Sequence, residues 1–461
     1  MNNIPLIEEI RKRFDVIFDL TNNLAIEHNI FDFSLELTKN IFSSFLETID
    51  KEFLESDYRK EKYSSKEVIK RPIITSFGEV FVKYRIYVNK ETKERYALIK
   101  DLLNLKNYQR ITDEAEYDIV KYAMHSNMTQ AGKHSIPKTI FSRSYVSKLL
   151  KKLNGSIHRE VKRSIITPKT LYIEMDEIHA NLQHGGNHIC PCAIVHEGHI
   201  NNSSKRKQLK NVIYFATAKG SYKDLWNEIY NYVDQKYDID KFEYLFISGD
   251  GASGIKDFDE AFPNAIFVLD KFHCKKYLKM IFKNKSILSY ALDYLKNNNV
   301  KDFNDLVDIE LSKEDSNTDS INKARNYLLN NIEGIINQTH EKYLCPCSME
   351  SHVNHGFARY ITSSPYGFSL DGLNNKLKLL VYNANKIELT YKDYINLKYS
   401  EDEHIEINNK IHSLQNLSFK YSNLIKNNHK PQIYDIITSI PIFDKPSTNN
   451  FINRLLSYKN M

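Results

Sequence analysis

Two periodicities divide the chain. Over the first 70 residues, apolar positions recur at three- and four-residue spacing in "IPLIEEIRKRFDVIFDL" and "FSLELTKNIFSSFLETIDKEFLE", which predicts an N-terminal helical region. The period shifts to two in "RPIITSFGEVFVKYRIYVN", residues 71–89, where Val80, Val82, Tyr84 and Ile86 share one face and Gly78 marks a turn between two short strands. Helical spacing returns in "DEAEYDIVKYAMH" and "PKTIFSRSYVSKLLKKL". A polar linker holding Gly132 joins them, so residues 71–165 are expected to carry a small β segment and a helix-turn-helix, with the second helix starting near Thr139.

Beyond residue 165 the chain alternates between short apolar runs and amphipathic stretches. "TLYIEMDEIHA", "ICPCAIVHEG" and "NVIYFATAKG" read as three consecutive strands, and "YKDLWNEIYNYVDQKY" as a helix. "FEYLFISGDGA" is a fourth strand, "IKDFDEAF" a short helix and "NAIFVLD" a fifth strand. Three strands in succession, then helix and strand in turn, describe an α/β sheet of mixed direction. The order is that of a ribonuclease H-like core, its first part at 166–280. The last helix of such a core is missing by residue 270. The polar helical pattern from 271 to about 344, with a loop at "SKEDSNTDSINK", makes residues 281–344 a helical insertion. The missing helix returns in "SMESHVNHGFARYIT", within 345–370, and residues 371–461 form a Lys- and Asn-rich tail with short helical stretches.

Charge changes the picture locally rather than globally. The net charge is +6 over 461 residues, too small an excess to identify a partner. Between Ile119 and Arg159, however, there is no Asp or Glu, while Lys121, Lys133, Lys138, Arg143, Lys148, Lys151, Lys152 and Arg159 are all basic. An ordinary solvated helical face is the bland reading. The coincidence of charge and helix-turn-helix pattern favours double-stranded DNA, with Arg143, Lys148, Lys151 and Lys152 on the phosphates. No run of 18 apolar residues is present, so no membrane span is expected. The acidic start "MNNIPLIEEI" does not suit a signal peptide, and five cysteines are too few for a secreted disulfide framework. A cytoplasmic, nucleoid-associated protein is expected.

Three acids fall at matching points of the proposed core. In the first strand, Leu171, Ile173 and Met175 take one face and Tyr172, Glu174 and Asp176 the other. Asp250 follows the apolar run "YLFIS" between Gly249 and Gly251, at the carboxyl end of the fourth strand, where open α/β sheets bind ligands. Glu350 opens the final helix, whose Val353, Phe357 and Ile361 are spaced to pack on a sheet while His352, His355 and Arg359 are offered to DNA phosphates. Each acid alone reads as structural: Asp250 as a turn residue, Glu350 as a helix N-terminal acid. Converging, they would repel one another unless divalent cations lay between them, and two Mg²⁺ (or Mn²⁺) ions suit such a cluster.

"YIEMDEIHANLQ", "ISGDGASGI", "FVLDKFHCKKYL" and "CSMESHVNHGFARYITSSPYGFS" together resemble the ISLre-two family of bacterial insertion-sequence transposases, akin to the Mutator-like DDE group. "TSFGEVFVKYRIY" is similar to that family's amino-terminal strand region, so the resemblance covers most of the chain. It implies DNA transposition by a metal-dependent Asp-Asp-Glu nuclease, with the acids falling on Asp176, Asp250 and Glu350. The Asp-x-x-His signature of related families falls on Asp270 and His273, and His273 is implied at the scissile phosphate or beside a carboxylate. Expected partners are double-stranded DNA, as element ends and target, and further copies of the chain assembled on it. One departure stands out: related families carry a Trp shortly before the catalytic Glu, and the single Trp here, Trp226, lies in an earlier helix.

"CPC" occurs at Cys190–Cys192 and at Cys345–Cys347, with His179, His184, His188, His196 and His199 around the first copy. A structural Zn²⁺ on four thiolates is conceivable, but Cys-x-Cys spacing is tighter than zinc knuckles use, and small buried thiols are the preferred reading. Two rival functions remain: a structure-selective ribonuclease H-like nuclease or resolvase with the same triad, and a domesticated DNA-binding protein, against which the intact acids speak.

Overall fold

The computed structural model describes residues 26–157, 160–200, 208–314, 316–362, 367–400 and 402–403. The first predicted helix, "IPLIEEIRKRFDVIFDL", lies outside the described residues, as does Arg159. The described residues divide into two units, one within residues 26–116, 136–139 and 400–403, the other within 117–135 and 140–399.

In the first unit, helix α1 (Ile26–Glu55) sets Leu46 and Phe42 against a sheet of β1 (Tyr63–Thr75), β2 (Gly78–Asn89) and the two-residue β3 (Arg95–Tyr96). Val80, Val82, Tyr84 and Ile86 are all buried, as their alternation predicts. The buried Asp50 of α1 accepts from Arg85 Nη1 at 2.9 Å and from the Tyr87 hydroxyl at 3.3 Å, so its charge is compensated. Gly78 sits at φ +100°, and a Cβ there would meet the Pro137 carbonyl oxygen at 2.9 Å, so the turn requires glycine. The strands are long rather than short, 13 and 12 residues. β1 begins at Tyr63, not near 71, because its first half, "YSSKEVIK", is mostly exposed and carries no apolar alternation to announce a strand.

In the second unit, two helices with an intervening linker become three helices. α2 (Asp113–Ala123, the division between the units falling inside it) is followed by α3 (Met128–His134) and α4 (Arg143–Lys151). Gly132 is thus inside a helix. It is there because a Cβ would stand 2.4 Å from the Phe141 carbonyl oxygen, and the Phe141 N–H donates to the Gly132 carbonyl at 2.8 Å. α4 starts at Arg143 instead of Thr139, where the Ser142 side chain caps it by accepting from the Tyr145 N–H.

The second unit is built on a five-stranded sheet of mixed direction. β4 (Thr170–Asn181), β5 (Asn187–His196) and β6 (Ile213–Ala216) form an antiparallel meander, and β7 (Tyr244–Gly249) and β8 (Ile266–Leu269) run parallel to β4, giving the order β6-β5-β4-β7-β8. One face, with Leu171, Ile173, Met175, Ala193 and Val195, packs on Leu225, Trp226, Ile229 and Val233 of α5 (Tyr222–Lys236). Tyr172, Phe246 and Val268 on the other face meet Tyr343 and Cys345.

α6 (Lys271–Ile281) follows β8 within the expected core segment, and the segment expected to be an insertion folds as α7 (Lys285–Lys296), α8 (Val300–Leu311), α9 (Thr318–Asn330) and α10 (Ile332–Ile336), sharing with α6 a cluster around Leu278, Phe282, Leu295, Phe303 and Leu328. α9 claims the end of the stretch expected to be a loop, because Asn317 caps it and Ile321, Ala324 and Leu328 are buried.

α11 (Met349–Val353) runs on through a π-helical turn at Asn354–Ala358 to Ile361. Val353, Phe357 and Ile361 are buried, as spaced. The expected tail begins instead with a core helix, α12 (Leu370–Ala384), followed by α13 (Tyr391–Lys398). Leu373, Leu377 and Leu380 of α12 are buried, Asn375 donates to the Leu150 and Leu153 carbonyls of the α4 end, and Asn385 covers the β6 edge by bonding both backbone groups of Tyr214. No helix among the described residues is long and apolar enough to cross a membrane.

Candidate active site

Parallel pairing brings the acids to one level. The last β4–β7 pair is Glu174 with Ser248, and two residues further along each strand stand Asp176 and Asp250. Asp250 is fixed by its own turn: Oδ1 accepts from the Ala252 N–H at 2.9 Å, and the Tyr327 hydroxyl donates to its carbonyl. The third strand end adds a carboxylate that enters the sequence reading only through the Asp-x-x-His signature. Asp270 follows β8, its N–H donates to the Gly249 carbonyl at 2.9 Å, and its Oδ1 caps α6 by accepting from the Phe272 N–H at 3.1 Å. Asp270 Oδ2 lies 3.2 Å from His273 Nδ1. Two carboxylates, Asp250 and Asp270, thus stand at the carboxyl ends of β7 and β8, and Asp176 stands level with Asp250 within the longer β4, with the His273 imidazole beside Asp270. "VLD" carries the same signal as "YLFISGD", an acid closing an apolar run, so Asp270 was legible on its own.

The electrostatics are those of an anionic cluster. Burial pushes the Asp176 carboxyl up to about 6; the Glu177 N–H and the His273 charge oppose the rise, and Asp250 and Asp270 add to it. Burial alone would depress His273, but its bond to Asp270 and the charges of Asp176, Asp270 and Asp250 hold it above the ordinary value. All-oxygen donors of this kind suit Mg²⁺ or Mn²⁺. Next to them, Glu177 accepts from the Tyr222 hydroxyl, a pair that the sequence pattern gave no reason to expect.

The other expected residues divide. Glu350 is exposed on the first turn of α11, which packs on β4 and β5. Cys347, three residues earlier, is half-buried, and desolvation, joined by the charges of Glu174, Asp270 and Asp176, pushes its thiol up. The charges bearing most on Asp176 are those of His273, Asp250 and Asp270. Lys148, Lys151 and Lys152 are exposed, whereas Arg143 is only half-exposed, its guanidinium 5.9 Å from the Phe368 ring and 3.5 Å from the Gly367 carbonyl. Arg359 is exposed and donates to the Tyr360 hydroxyl at 2.8 Å. His352 is held by the Tyr214 hydroxyl at 2.7 Å, and burial lowers its pKa. Trp226 lies buried in α5 and donates to the Gly254 carbonyl at 3.1 Å.

The two Cys-Pro-Cys segments do not assemble a four-thiolate site among the described residues. Cys192 pairs across the sheet with Asp176 and donates to its carbonyl at 3.1 Å, whereas Cys345 meets Glu174 and His196, further back along the same strands. Potential ligand atoms of Glu174, His196 and Cys345 lie within 4.8 Å of one another.

The model of an uncharacterised protein family, UPF0236, matches residues 20–396. Among similar proteins, one UPF0236 protein of Caldanaerobacter subterraneus subsp. tengcongensis, whose name joins eleven loci, is 28% identical over 384 residues, covering 81% of each chain. A second from the same organism is 28% identical over 389 residues, covering 83% of this chain and 84% of its own. The UPF0236 protein in the vanSb 3' region of Streptococcus gallolyticus is 26% identical over 328 residues, covering 67% of this chain and 71% of its own.

Proposed function

The chain belongs to the UPF0236 family, and on that premise we propose that it is a DDE transposase of the ISLre-two kind, which cleaves insertion-sequence ends and transfers strands. The observation that carries the reading is the placing of Asp176 and Asp250 at one level on neighbouring parallel strands, with Asp270 and His273 at the next strand end. A sheet ordered third-second-first-fourth-fifth, with the last two strands parallel to the first, supports a ribonuclease H-like core. The packed α3–α4 pair, with Lys148, Lys151 and Lys152 exposed, supports a helix-turn-helix that meets DNA phosphates. A relative named for eleven loci fits an element that multiplies within a genome.

In this reading Asp176, Asp250 and Glu350 would hold Mg²⁺ or Mn²⁺, which would supply activation of the attacking oxygen and neutralisation of charge at the scissile phosphate. The chain's own residues do the rest. Asp270 orients His273 toward the acid cluster, and its carboxylate favours the charged form of the imidazole. The test is cleavage, by the purified protein, of DNA spanning the borders of its own genomic copy. Cutting is expected only with Mg²⁺ or Mn²⁺, and Asp250→Asn is expected to lower it at least about a thousandfold while DNA binding persists. Undiminished cutting by Asp250→Asn would remove the assignment.

A further inference from the structure

Glu174 has no part in that reading, yet it is the most deeply buried acid of its strand, at 1% exposure, two residues before Asp176 on the same face of β4. A carboxylate so enclosed needs donors, and three converge on it. Oε2 accepts from the Ser348 N–H at 2.7 Å and from the Ser348 hydroxyl at 3.1 Å; Oε1 lies 3.1 Å from His196 Nε2. With Cys345 close by, the oxygen, nitrogen and sulfur donors match a set that zinc takes.

The protons decide against zinc. The Gly198 N–H donates to Nδ1 of His196 at 3.1 Å, so Nδ1 presents its lone pair and the ring proton sits on Nε2, aimed at Glu174. A zinc-bound imidazole has the reverse arrangement, with a lone pair on the metal and its other N–H given to an acceptor. Tyr172 stacks on the ring at 5.2 Å and 6°, which keeps it in this plane.

Ser348 is the N-cap of α11 and makes no side-chain cap bond within its own helix. Both of its donors turn instead onto a strand 174 positions away in sequence. We propose that Glu174 is a positioning residue. The relay Gly198–His196–Glu174–Ser348 pins the first turn of α11 to the sheet, and so sets where Glu350, two residues further on, presents its carboxylate to the divalent metal. This rests on the transposase reading for the role of Glu350, but the pinning itself does not.

The test uses the full chain in two measurements: calorimetric titration with Mn²⁺, and backbone amide exchange over residues 345–353. Glu174→Gln leaves one acceptor oxygen and puts an amide NH₂ against a donor, so exchange at 347–353 is expected to speed up while β4 and β7 stay protected. Mn²⁺ affinity is expected to fall about tenfold, the order seen when support of a metal ligand is lost. His196→Gln, which keeps a donor toward Glu174, is expected to retain affinity within about threefold, and Asp250→Asn to lose binding. Should Glu174→Gln not fold, Ser348→Ala removes a single donor and is expected to show the same changes at smaller size. Unchanged local exchange in Glu174→Gln, or in Ser348→Ala where Glu174→Gln does not fold, overturns the pinning, and so does stoichiometric zinc bound to the purified wild type. Faster exchange with unchanged Mn²⁺ affinity overturns the link to Glu350. A wild type that binds no Mn²⁺ instead overturns the transposase reading, leaving the pinning to be judged by exchange.

Discussion

The two faces of the five-stranded sheet bury their residues equally and by different means. Toward α5 stand Ile173, Met175 and Ala193, at 0–1% exposure, held by packing alone. Toward the Tyr343–Ser348 segment stand Glu174, His196 and Ser248, at 0–2%, each with an assigned partner. Burial of apolar area is strongly favourable and non-directional. A buried polar network contributes little net energy, yet it penalises every arrangement but one, because a displaced donor is left unpaired. The first face therefore supplies stability, while the second supplies the position of the acids at its edge.

That division can be broken by substitution. Trp226→Ala on the apolar side removes a ring packed against Phe258 and Phe262 together with its bond to Gly254, and is expected to cost about 3–5 kcal/mol in denaturant unfolding. A loss under about 1 kcal/mol would show that stability resides elsewhere.

At the rim of the polar face the sign is opposite. The Asp176 carboxyl lies near 6 in the folded chain against an ordinary 3.8, so the folded state holds its proton more tightly than the unfolded state. Stability from this group is present below about pH 4 and is lost as pH rises to about 6, by at most about 3 kcal/mol. Metal-free Asp176→Asn is expected to be more stable than wild type at pH 7 and to flatten the pH dependence between 4 and 6. Equal stability at pH 7 would mean that the cluster carries no such strain.

The smallest effect belongs to the cover of the polar face. Tyr343→Phe takes the acceptor of the Cys347 N–H at 3.1 Å and the partner of the Ser248 hydroxyl at 3.0 Å. It is expected to cost about 1–2 kcal/mol by thermal or denaturant unfolding, and a neutral result would mean that water replaces the phenol.

What could be read from the sequence follows periodicity. Alternation placed Ile173 and Met175 opposite Glu174 and Asp176, and "YLFISGD" put Asp250 at a strand end, because side-chain direction in a strand is fixed locally. The same rule failed for "YSSKEVIK", an exposed half-strand with no apolar face to betray it, and for α3, where Gly132 reads as a breaker but serves a close approach to Phe141. α12 reads as part of a tail because five Lys and Asn residues are interleaved with its five leucines. Lys376 is nevertheless fully buried and donates to the Ala123 and Ser126 carbonyls, which no local pattern announces.

By itself, then, the sequence determined which residues share a face and which acids close a strand, since both depend on neighbours one to four positions away. Only the tertiary structure decided that Asp270 joins Asp176 and Asp250, and that Cys345 meets Glu174 rather than Cys192. It also gave Glu174, the acid with no evident use in "YIEMDE", its partner Ser348. Those outcomes depend on strand order and on which segment covers a face, and a buried carboxylate is stable only where distant donors arrive together.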